Sequence, residues 1–265
     1  MAKNRKKFIL LTFDVEEFDI PQDYEFDIDL DDQLRIGHKG LINVMELLAD
    51  YPNVRATFFT TAVFAKRFPD TIRFLSTKHE IASHTYSNSS QHTGDLLLSR
   101  LILEQIIGKP VCGIRMPQMQ SVDADELKNA GYSYDSSVHP TWIPGKYNNL
   151  NKPVGPYYER GILRIPASVS GVFRIPLFWL CFKNLPLFIY ECLAYVPLRK
   201  HGFLNVYFHP WEFEDISSYP IPRYVKVGSP HELLKKLGQF LKNASKRATF
   251  ITMSDFISMR TANEP

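Results

Sequence analysis

The stretch ILLTFDVEEFD, residues 9–19, places four carboxylates directly after an apolar run of five residues. A short run of this kind predicts a buried β-strand. Asp14, Glu16, Glu17 and Asp19 then follow within six positions. In proteins built on parallel strands, the loops at the carboxyl ends of the strands carry the chemistry, because they can vary without disturbing the core. The carboxylates therefore indicate a candidate site at the end of the first strand.

Short apolar runs alternate with longer segments of helical period along the rest of the chain. This alternation is typical of an α/β protein with a largely parallel sheet. The predicted strands are 8–13, 56–60, 81–83, 113–115, 134–136, 162–165, 205–208 and 248–251. The predicted helices are 39–48, 61–68, 70–76, 94–107, 123–129 and 230–243. Seven or eight strands over this length favour a closed or nearly closed (β/α) barrel.

The chain has 265 residues, of which 45% are hydrophobic, so it can bury a sizeable core. We find no internal repeat and no Gly/Ser-rich or Pro-rich linker that would divide it. The sequence therefore predicts one domain over residues 1–265, with an apolar insertion near residues 172–198.

The charge and the cysteine content limit the cellular compartments and the classes of binding partner that the sequence favours. A formal net charge of +3 is too mild to indicate a nucleic-acid partner. A basic cluster at residues 3–7 precedes the first strand, but Asp14 interrupts the apolar run before it reaches the ~7–15 residues of a signal-peptide core. Three cysteines without Cys-x-x-Cys spacing favour reduced thiols. We therefore expect a cytoplasmic protein.

Residues 172–198, VFRIPLFWLCFKNLPLFIYECLAYVPL, are strongly apolar. Arg174, Lys183, Glu191 and several prolines interrupt them, so a spanning helix of ~20 uninterrupted apolar residues is excluded. One interpretation is a buried pair of short helices. The other is an apolar flap that touches a membrane surface or a lipid-linked substrate, which would make the protein membrane-associated.

Other predicted strands also end in chemically active side chains. His84, Arg115 and His209 each stand at the end of a predicted strand, and Asp135 lies in another. Each one taken alone has an ordinary structural explanation as a turn, cap or solvated residue. Their shared position at strand ends favours a common site.

Five short motifs occur in order along the chain: TFDVEE (12–17), IASH leading into HTYSN (81–88), GIRMP (113–117), YDSSVHP (134–140) and YFHPWEF (207–213). Together they resemble the ordered motifs of the polysaccharide deacetylase family, the NodB-homology group of carbohydrate esterases. The resemblance runs from about Leu10 to about Phe256. It implies a distorted (β/α) barrel of about seven strands, with a divalent-metal site that removes N- or O-acetyl groups from sugars. The variants of the first and last motifs resemble the branch linked to exopolysaccharide or cell-surface glycan assembly.

The resemblance also implies roles for single residues. Asp14 matches the general base, and Arg115 matches the arginine that keeps this base ionised. His209 matches the general acid that protonates the leaving group. Asp135 is a candidate partner carboxylate for His209, or alternatively a turn residue that bonds the backbone.

The resemblance implies a divalent metal, which we expect to be zinc, with Glu16 and His84 as ligands. Active relatives have a second histidine four residues after the first, and here that position is Asn88. An amide oxygen is a weaker ligand than imidazole for zinc. Three hypotheses follow: His92 replaces the missing ligand; Glu16, His84 and Asn88 hold the ion with waters and help from Glu17; or the metal is lost. Otherwise we expect Glu17 and Asp19 to be solvated or capping residues.

Side chains in or near the motifs suit a sugar, because aromatic rings stack on sugar faces and their polar tips form hydrogen bonds. The predicted substrate-binding residues are Tyr86, Pro117, Trp142, Tyr207 and Trp211.

Amide or ester hydrolysis needs an activated water, a group that stabilises the oxyanion, and an acid for the leaving group. The leading hypothesis is a metal-assisted deacetylase that acts on N-acetylated sugars of a surface polysaccharide or its precursor. One alternative is a glycan-binding protein that has lost catalysis. The other is a metal-free amidohydrolase of the same fold that acts on a small cyclic amide or ureide.

Overall fold

The computed structural model describes residues 6–88 and 94–261. Within them, nine strands form one curled sheet and two more form a separate hairpin. The strands are β1 (Phe8–Val15), β2 (Ala56–Thr60), β3 (Glu80–Ser83), β4 (Gly113–Ile114), β5 (Tyr134–Asp135), β6 (Trp142–Ile143), β7 (Tyr147–Asn148), β8 (Tyr157–Glu159), β9 (Ile162–Arg164), β10 (Phe203–Phe208) and β11 (Thr249–Phe250).

The helices surround this sheet and connect its strands. They are α1 (Leu30–Ala49), α2 (Ala62–Arg67), α3 (Pro69–Leu75), α4 (Gly94–Ile107), α5 (Ala124–Asn129), α6 (Trp179–Asn184), α7 (Leu187–His201), α8 (Pro230–Ala244) and α9 (Met253–Thr261). Short 3₁₀ helices lie at Ile20–Tyr24, Pro117–Met119 and Pro210–Phe213.

The strand order in the large sheet is β10-β1-β2-β3-β4-β5-β9-β8, and β11 also pairs with β1. All these pairs are parallel except β8 with β9. Beyond β9, Ser168 N donates to Asn205 O at 2.8 Å, and Asn205 N donates to Ser168 Oγ at 2.8 Å. These bonds join the two ends of the curled sheet, and the predicted distorted (β/α) barrel is confirmed.

Strand β1 lies between β10 and β2 in the sheet, and its side chains alternate between two apolar clusters. Ile9, Leu11 and Phe13 belong to the large cluster that includes residues of the surrounding helices. Leu10 belongs to a smaller cluster formed largely by strand residues such as Phe59. Asp14 has the same parity as Leu10, so the alternation of the strand places its carboxylate on the interior face.

All eight predicted strands are present, and their ends differ from the prediction by two residues or fewer. Helix α1 begins nine residues earlier than predicted. Its first turn contains Asp31 and Asp32, and the Asp29 side chain caps it by accepting a hydrogen bond from Asp32 N at 2.9 Å. The charged residues of this first turn interrupt the apolar periodicity from which the helix was predicted, so its start was placed too late.

The apolar segment 172–198 contains α6 and the greater part of α7, with Pro197 inside α7. The segment therefore forms two helices, as one interpretation predicted, although they are not fully buried, since Phe188 is 68% exposed. Helix α7 also continues beyond the segment to His201. Among the described residues, no helix combines the length and the apolar character needed to cross a bilayer. The β6–β7 hairpin and α9 were not predicted, because their segments are too short or too polar to show a clear period.

Helix α1 packs closely on the last motif, and Gly40 is the point of contact. A Cβ at Gly40 would lie 1.9 Å from the carbonyl oxygen of Pro210. In an ordinary helix, Gly→Ala stabilises by about 1 kcal/mol. Here we expect Gly40→Ala to destabilise the fold by about 1–3 kcal/mol, because backbone must move to make room. Urea unfolding followed by circular dichroism measures this change.

Gly155→Ala is the matched control, since a Cβ there would meet no atom within 4 Å. We expect that variant to unfold like the unmodified protein. A Gly40→Ala variant as stable as the Gly155→Ala control would contradict the close packing of α1 on Pro210.

Candidate active site

One cavity of about 380 Å³ opens at the carboxyl ends of the barrel strands. Asp14 lies near the end of β1 and Glu16 just after it, while His84 follows β3 and His209 follows β10. All four line this cavity. The structure therefore brings together four predicted site residues that are up to 195 positions apart in the sequence.

Asp14 and Arg115 form a buried ion pair at this cavity. Arg115 Nη1 donates to Asp14 Oδ1 at 2.7 Å and to Thr12 Oγ1 at 2.8 Å. Its Nη2 and Nε donate to the Oγ and carbonyl oxygen of Ser136 at 3.0 and 3.2 Å. The guanidinium also lies 4.2 Å from the centre of the Phe59 ring. These contacts fix the orientation of the Asp14 carboxylate.

His209 is held between a carboxylate and an aromatic ring. Its Nδ1 lies 3.2 Å from Glu212 Oε1, and the Trp211 ring stacks on it with centroids 4.8 Å apart. Its Nε2 lies 4.0 Å from Asp14 Oδ2 and 3.7 Å from Glu16 Oε1. Burial lowers the pKa of His209, but the nearby carboxylates, Glu16 first, outweigh burial and raise this pKa above its usual value. The imidazole therefore holds its proton more strongly than a free histidine does.

Glu16 connects the first and last motifs. Its Oε2 lies 2.9 Å from His84 Nε2, and its Oε1 accepts a hydrogen bond from Trp211 Nε1 at 3.2 Å. Burial lowers the pKa of His84, whereas the hydrogen bond to Glu16 and the charge of Asp14 raise it, and the net shift is upward. Glu16 and His84 thus form a buried pair in which the carboxylate favours the protonated imidazole.

Glu17 and Asp19, the other two carboxylates that follow β1, lie beside Asn88. Asn88 Nδ2 donates to Asp19 Oδ1 at 2.8 Å, and its backbone N donates to Glu17 Oε2 at 3.4 Å. Burial raises the pKa of Glu17 to about 7, and burial together with the charge of Glu16 raises the pKa of Asp19 to about 7. The expectation that Glu17 is a solvated or capping residue was wrong, because it is only 3% exposed.

Asp135 does not have the partner that was predicted for it. Its Oδ2 accepts a hydrogen bond from Arg164 Nη1 at 2.8 Å, and its Oδ1 accepts from the backbone N and the hydroxyl of Ser137. The carboxylate beside His209 is that of Glu212. The alternative interpretation of Asp135, a residue that bonds local backbone, agrees with the structure. The role of Glu212 as the partner of His209 was not predicted, although its spacing of three residues after His209 is evident in the sequence.

The three predicted metal ligands do not form a complete zinc centre. Glu16 and His84 face each other, and the other oxygen of Glu16 accepts a hydrogen bond from Trp211. Asn88 donates to Asp19 through Nδ2, whereas its Oδ1 is buried without a hydrogen-bond partner among the described residues. Among residues 6–88 and 94–261, no group of three or more His, Cys, Asp or Glu side chains is arranged to hold a metal ion. One imidazole, one carboxylate and one amide fall short of the three strong ligands of a catalytic zinc site. His92 lies outside the described residues.

The predicted substrate-binding residues divide into two groups. Tyr207 and Trp211 line the cavity. Pro117 is buried at the start of a 3₁₀ helix, Tyr86 lies within 3.5 Å of Lys66, and Trp142 is 59% exposed on the β6–β7 hairpin. These three are outside the cavity lining, so the structure gives no support to their predicted contact with the sugar.

Several cavity residues were not predicted from the sequence. Phe178, Trp179 and Leu180 come from the apolar segment, and Ile143 comes from the β6–β7 hairpin. The Trp179 ring meets the His209 ring edge to face, with centroids 5.3 Å apart. No motif marks these positions, and they reach the cavity only through tertiary folding.

The curled barrel gathers carboxylates and histidines at the carboxyl ends of its strands, which is the face where (β/α) barrels carry their active sites. The family model for polysaccharide deacetylases matches residues 2–134, which is half of the chain. The chain belongs to the polysaccharide deacetylase family. No curated protein sequence matches it significantly.

Solved structures share the fold at low sequence identity. Puue allantoinase has a TM-score of 0.70 and 17% identity, covering 100% of this chain and 93% of its own. A probable polysaccharide deacetylase from Pseudomonas aeruginosa has a TM-score of 0.68 and 15% identity, with coverages of 97% and 92%. The Bc1960 peptidoglycan N-acetylglucosamine deacetylase has a TM-score of 0.51 and 18% identity, with coverages of 94% and 87%. At these identities the similarity establishes the fold alone.

Removing one partner of a fully buried ion pair leaves the other charge without compensation. We therefore expect Arg115→Met to destabilise the fold by about 3–5 kcal/mol. The double variant Asp14→Asn/Arg115→Met should be destabilised by less than the sum of the two single changes, because neither charge is then stranded. Urea unfolding of the four proteins gives the interaction energy.

Arg35→Met is the matched control, because Arg35 pairs with Asp32 on the surface and is 52% exposed. We expect that change to cost about 0–1 kcal/mol. Additive effects of Asp14→Asn and Arg115→Met would show that the pair is not coupled.

The incomplete donor set predicts weak zinc binding. After equilibration with zinc and dialysis, we expect the unmodified protein to retain far less than one ion per chain, and Asn88→His to retain close to one. The added imidazole gives the site a third strong ligand. Elemental analysis measures the content directly. Asn148→His, which adds a histidine to the exposed β7 strand, is the control, and stoichiometric zinc in the unmodified protein would refute the prediction.

Proposed function

We propose that this protein hydrolyses the N-acetyl group of a sugar in a surface polysaccharide or its lipid-linked precursor. The proposal is carried by one observation: Asp14 Oδ2 and His209 Nε2 lie 4.0 Å apart in one cavity, and each side chain is fixed by a buried charged partner. A positioned carboxylate and a positioned imidazole are the base and acid that amide hydrolysis needs. Membership of the polysaccharide deacetylase family supports an acetylated sugar as the substrate.

Asp14 acts as the general base in this proposal. Arg115 binds Oδ1 and leaves Oδ2 toward His209 and the cavity. Oδ2 is the carboxylate oxygen that is placed to accept a proton from water. The water that loses this proton attacks the acetyl carbonyl carbon and forms a tetrahedral intermediate.

His209 acts as the general acid. The nearby carboxylates raise its pKa, which favours the protonated imidazole, and Glu212 holds the ring through Nδ1. When the C–N bond breaks, the Nε2 proton passes to the departing nitrogen, and acetate and a free amino sugar are released. Glu212 is a positioning residue, because its contact is with His209.

The cavity walls suit a sugar. Its volume of about 380 Å³ falls in the range of roughly 300–1,000 Å³ for ligand pockets. Tyr147, Trp179 and Tyr207 present aromatic surface, and Asp23 and Lys146 present charge at the same cavity. Apolar rings with a few polar groups are the combination that stacks on sugar faces and bonds to hydroxyl groups.

Asp14→Asn tests the assignment of the base. We expect it to lower kcat by about 10²–10⁴-fold, because proton transfer contributes a factor of this size. Acetate release from N-acetylglucosamine oligomers measures activity, and circular dichroism checks that the variant is folded.

The control is Asp23→Asn, which removes a carboxylate from the same cavity at an exposed position outside the strand ends. It should keep kcat within a few-fold of the unmodified protein. Full activity of folded Asp14→Asn would refute the role of Asp14. Oligomer binding without acetate release by the unmodified protein would instead favour the alternative of a glycan-binding homologue.

A second candidate is a metal-free amidohydrolase that acts on a small cyclic amide. The incomplete zinc donor set favours it, and Puue allantoinase shares the fold with a TM-score of 0.70. Allantoin and N-acetylglucosamine oligomers offered in parallel distinguish the two. Hydrolysis of allantoin alone would favour this candidate.

A further inference from the structure

The segment between β9 and α6 contains a tightly bonded turn at residues 170–176. Ser170 N donates to Ile175 O at 2.8 Å, and Ile175 N donates to Ser170 Oγ at 3.0 Å. At its tip, Val172 is 94% exposed and Phe173 is 86% exposed. Two adjacent apolar side chains so fully exposed on an ordered turn indicate a contact surface.

Arg174 anchors this turn from behind. It adopts a left-handed conformation with φ of 48°, and its Nη1 donates to Lys152 O at 3.0 Å and to Pro140 O at 3.3 Å. Thr141 Oγ1 donates to the carbonyl oxygen of Arg174 at 2.7 Å. The exposure of Val172 and Phe173 is therefore built into the fold rather than a result of a loose loop.

Exposed apolar side chains continue on both sides of the turn. Trp142 is 59% exposed and Leu150 is 47% exposed, in the segment whose backbone Arg174 binds. On the other side, a Cβ at Gly171 would lie 3.2 Å from Cγ1 of Val196, which is 41% exposed on α7. We call these residues the apolar face: Trp142, Leu150, Val172, Phe173 and Val196.

Basic side chains border the apolar face. Lys146 is exposed in the turn of the β6–β7 hairpin, four residues from Trp142, and Lys152 lies at the backbone carbonyl that Arg174 binds. Arg199 and Lys200 are exposed in the last turn of α7, three and four residues after Val196. An apolar centre with a tryptophan and a rim of lysine and arginine is the composition that binds the interface of an anionic bilayer.

We propose that the apolar face docks the protein on an anionic lipid bilayer, with Val172 and Phe173 inserted at the headgroup level. A second copy of the chain is a less suitable occupant. A stable protein–protein interface buries ~800 Å² of surface on each partner, and a projecting tip of two residues does not offer a flat area of that size. Ile143 and Lys146 of the same hairpin line the active-site cavity. If the proposed function holds, docking brings this cavity to glycans carried on membrane lipids.

Vesicle co-sedimentation of the full chain tests the proposal. We expect binding to vesicles of phosphatidylcholine with phosphatidylglycerol, weaker binding to phosphatidylcholine alone, and loss of binding at high salt. The double variant Val172→Asp/Phe173→Glu should weaken vesicle binding by about tenfold or more, because it removes two apolar side chains from the lipid contact. Phe74→Glu is the matched control, since Phe74 is also exposed, at 68%, on α3.

Three results would overturn the proposal: no vesicle binding by the unmodified protein, vesicle binding that survives the double substitution, or a concentration-dependent dimer that only the double substitution abolishes. Light scattering during gel filtration detects the dimer. Both variants should release acetate from a soluble N-acetylglucosamine oligomer at the same rate as the unmodified protein. Loss of vesicle binding without loss of this activity separates the docking surface from the catalytic site.

Discussion

The buried guanidinium of Arg115 is the constraint on which the site depends. A charge with no solvent exposure must be paired and hydrogen-bonded. Each of the three guanidinium nitrogens of Arg115 donates at least one hydrogen bond, to Asp14 and Thr12 of β1 or to Ser136 after β5. Ser136 Oγ in turn donates to Ile165 O at 2.9 Å and accepts from Asn205 Nδ2 at 3.1 Å. One cation thus links β1, the ends of β4 and β5, the segment after β9, and β10, so the interior network that stabilises the barrel also orients the candidate base.

Helix α1 positions the other half of the site from outside the sheet. A Cβ at Gly37 would lie 2.8 Å from the carbonyl oxygen of Glu16, and one at Gly40 would lie 1.9 Å from that of Pro210. Glycine at both positions lets the helix approach the backbone next to the first and last motifs. Asn43 Nδ2 then donates to Phe213 O at 2.9 Å. The separation of Glu16 from His209 is therefore set in part by a helix that contributes no side chain to the cavity.

Eight strands could be predicted from the sequence because each is a short apolar run, whereas β6, β7 and β8 are too short or too polar to show a clear pattern. Polar side chains at strand ends also identified Asp14, His84 and His209, which line one cavity, and Arg115, which is paired with Asp14. The partner of His209 was mistaken because Asp135 and Glu212 both lie in motifs, and only the register of β5 against β9 shows that Asp135 faces Arg164. Trp179 could not be predicted, since no local pattern reveals which aromatic residues of an apolar segment a tertiary fold brings to a cavity.

Asn88 affects the hydrogen bonds of the site as well as the metal-ligating atoms that the site offers. An amide can donate through Nδ2 and accept through Oδ1 at the same time. Here Asn88 Nδ2 bonds Asp19, while its backbone bonds Glu17, so this residue is tied to the two carboxylates outside the Glu16–His84 pair. Burial holds the pKa of both these carboxylates near 7, and a neutral amide beside them adds no charge that must be balanced. Glu16 forms its hydrogen bonds with His84 and Trp211, and these contacts orient it toward His209. The pairing is incomplete, because Asn88 Oδ1, Glu17 Oε1 and His84 Nδ1 are buried without hydrogen-bond partners among the described residues. Asn88 therefore orients Asp19 through Nδ2 and leaves acceptor atoms unused beside the Glu16–His84 pair.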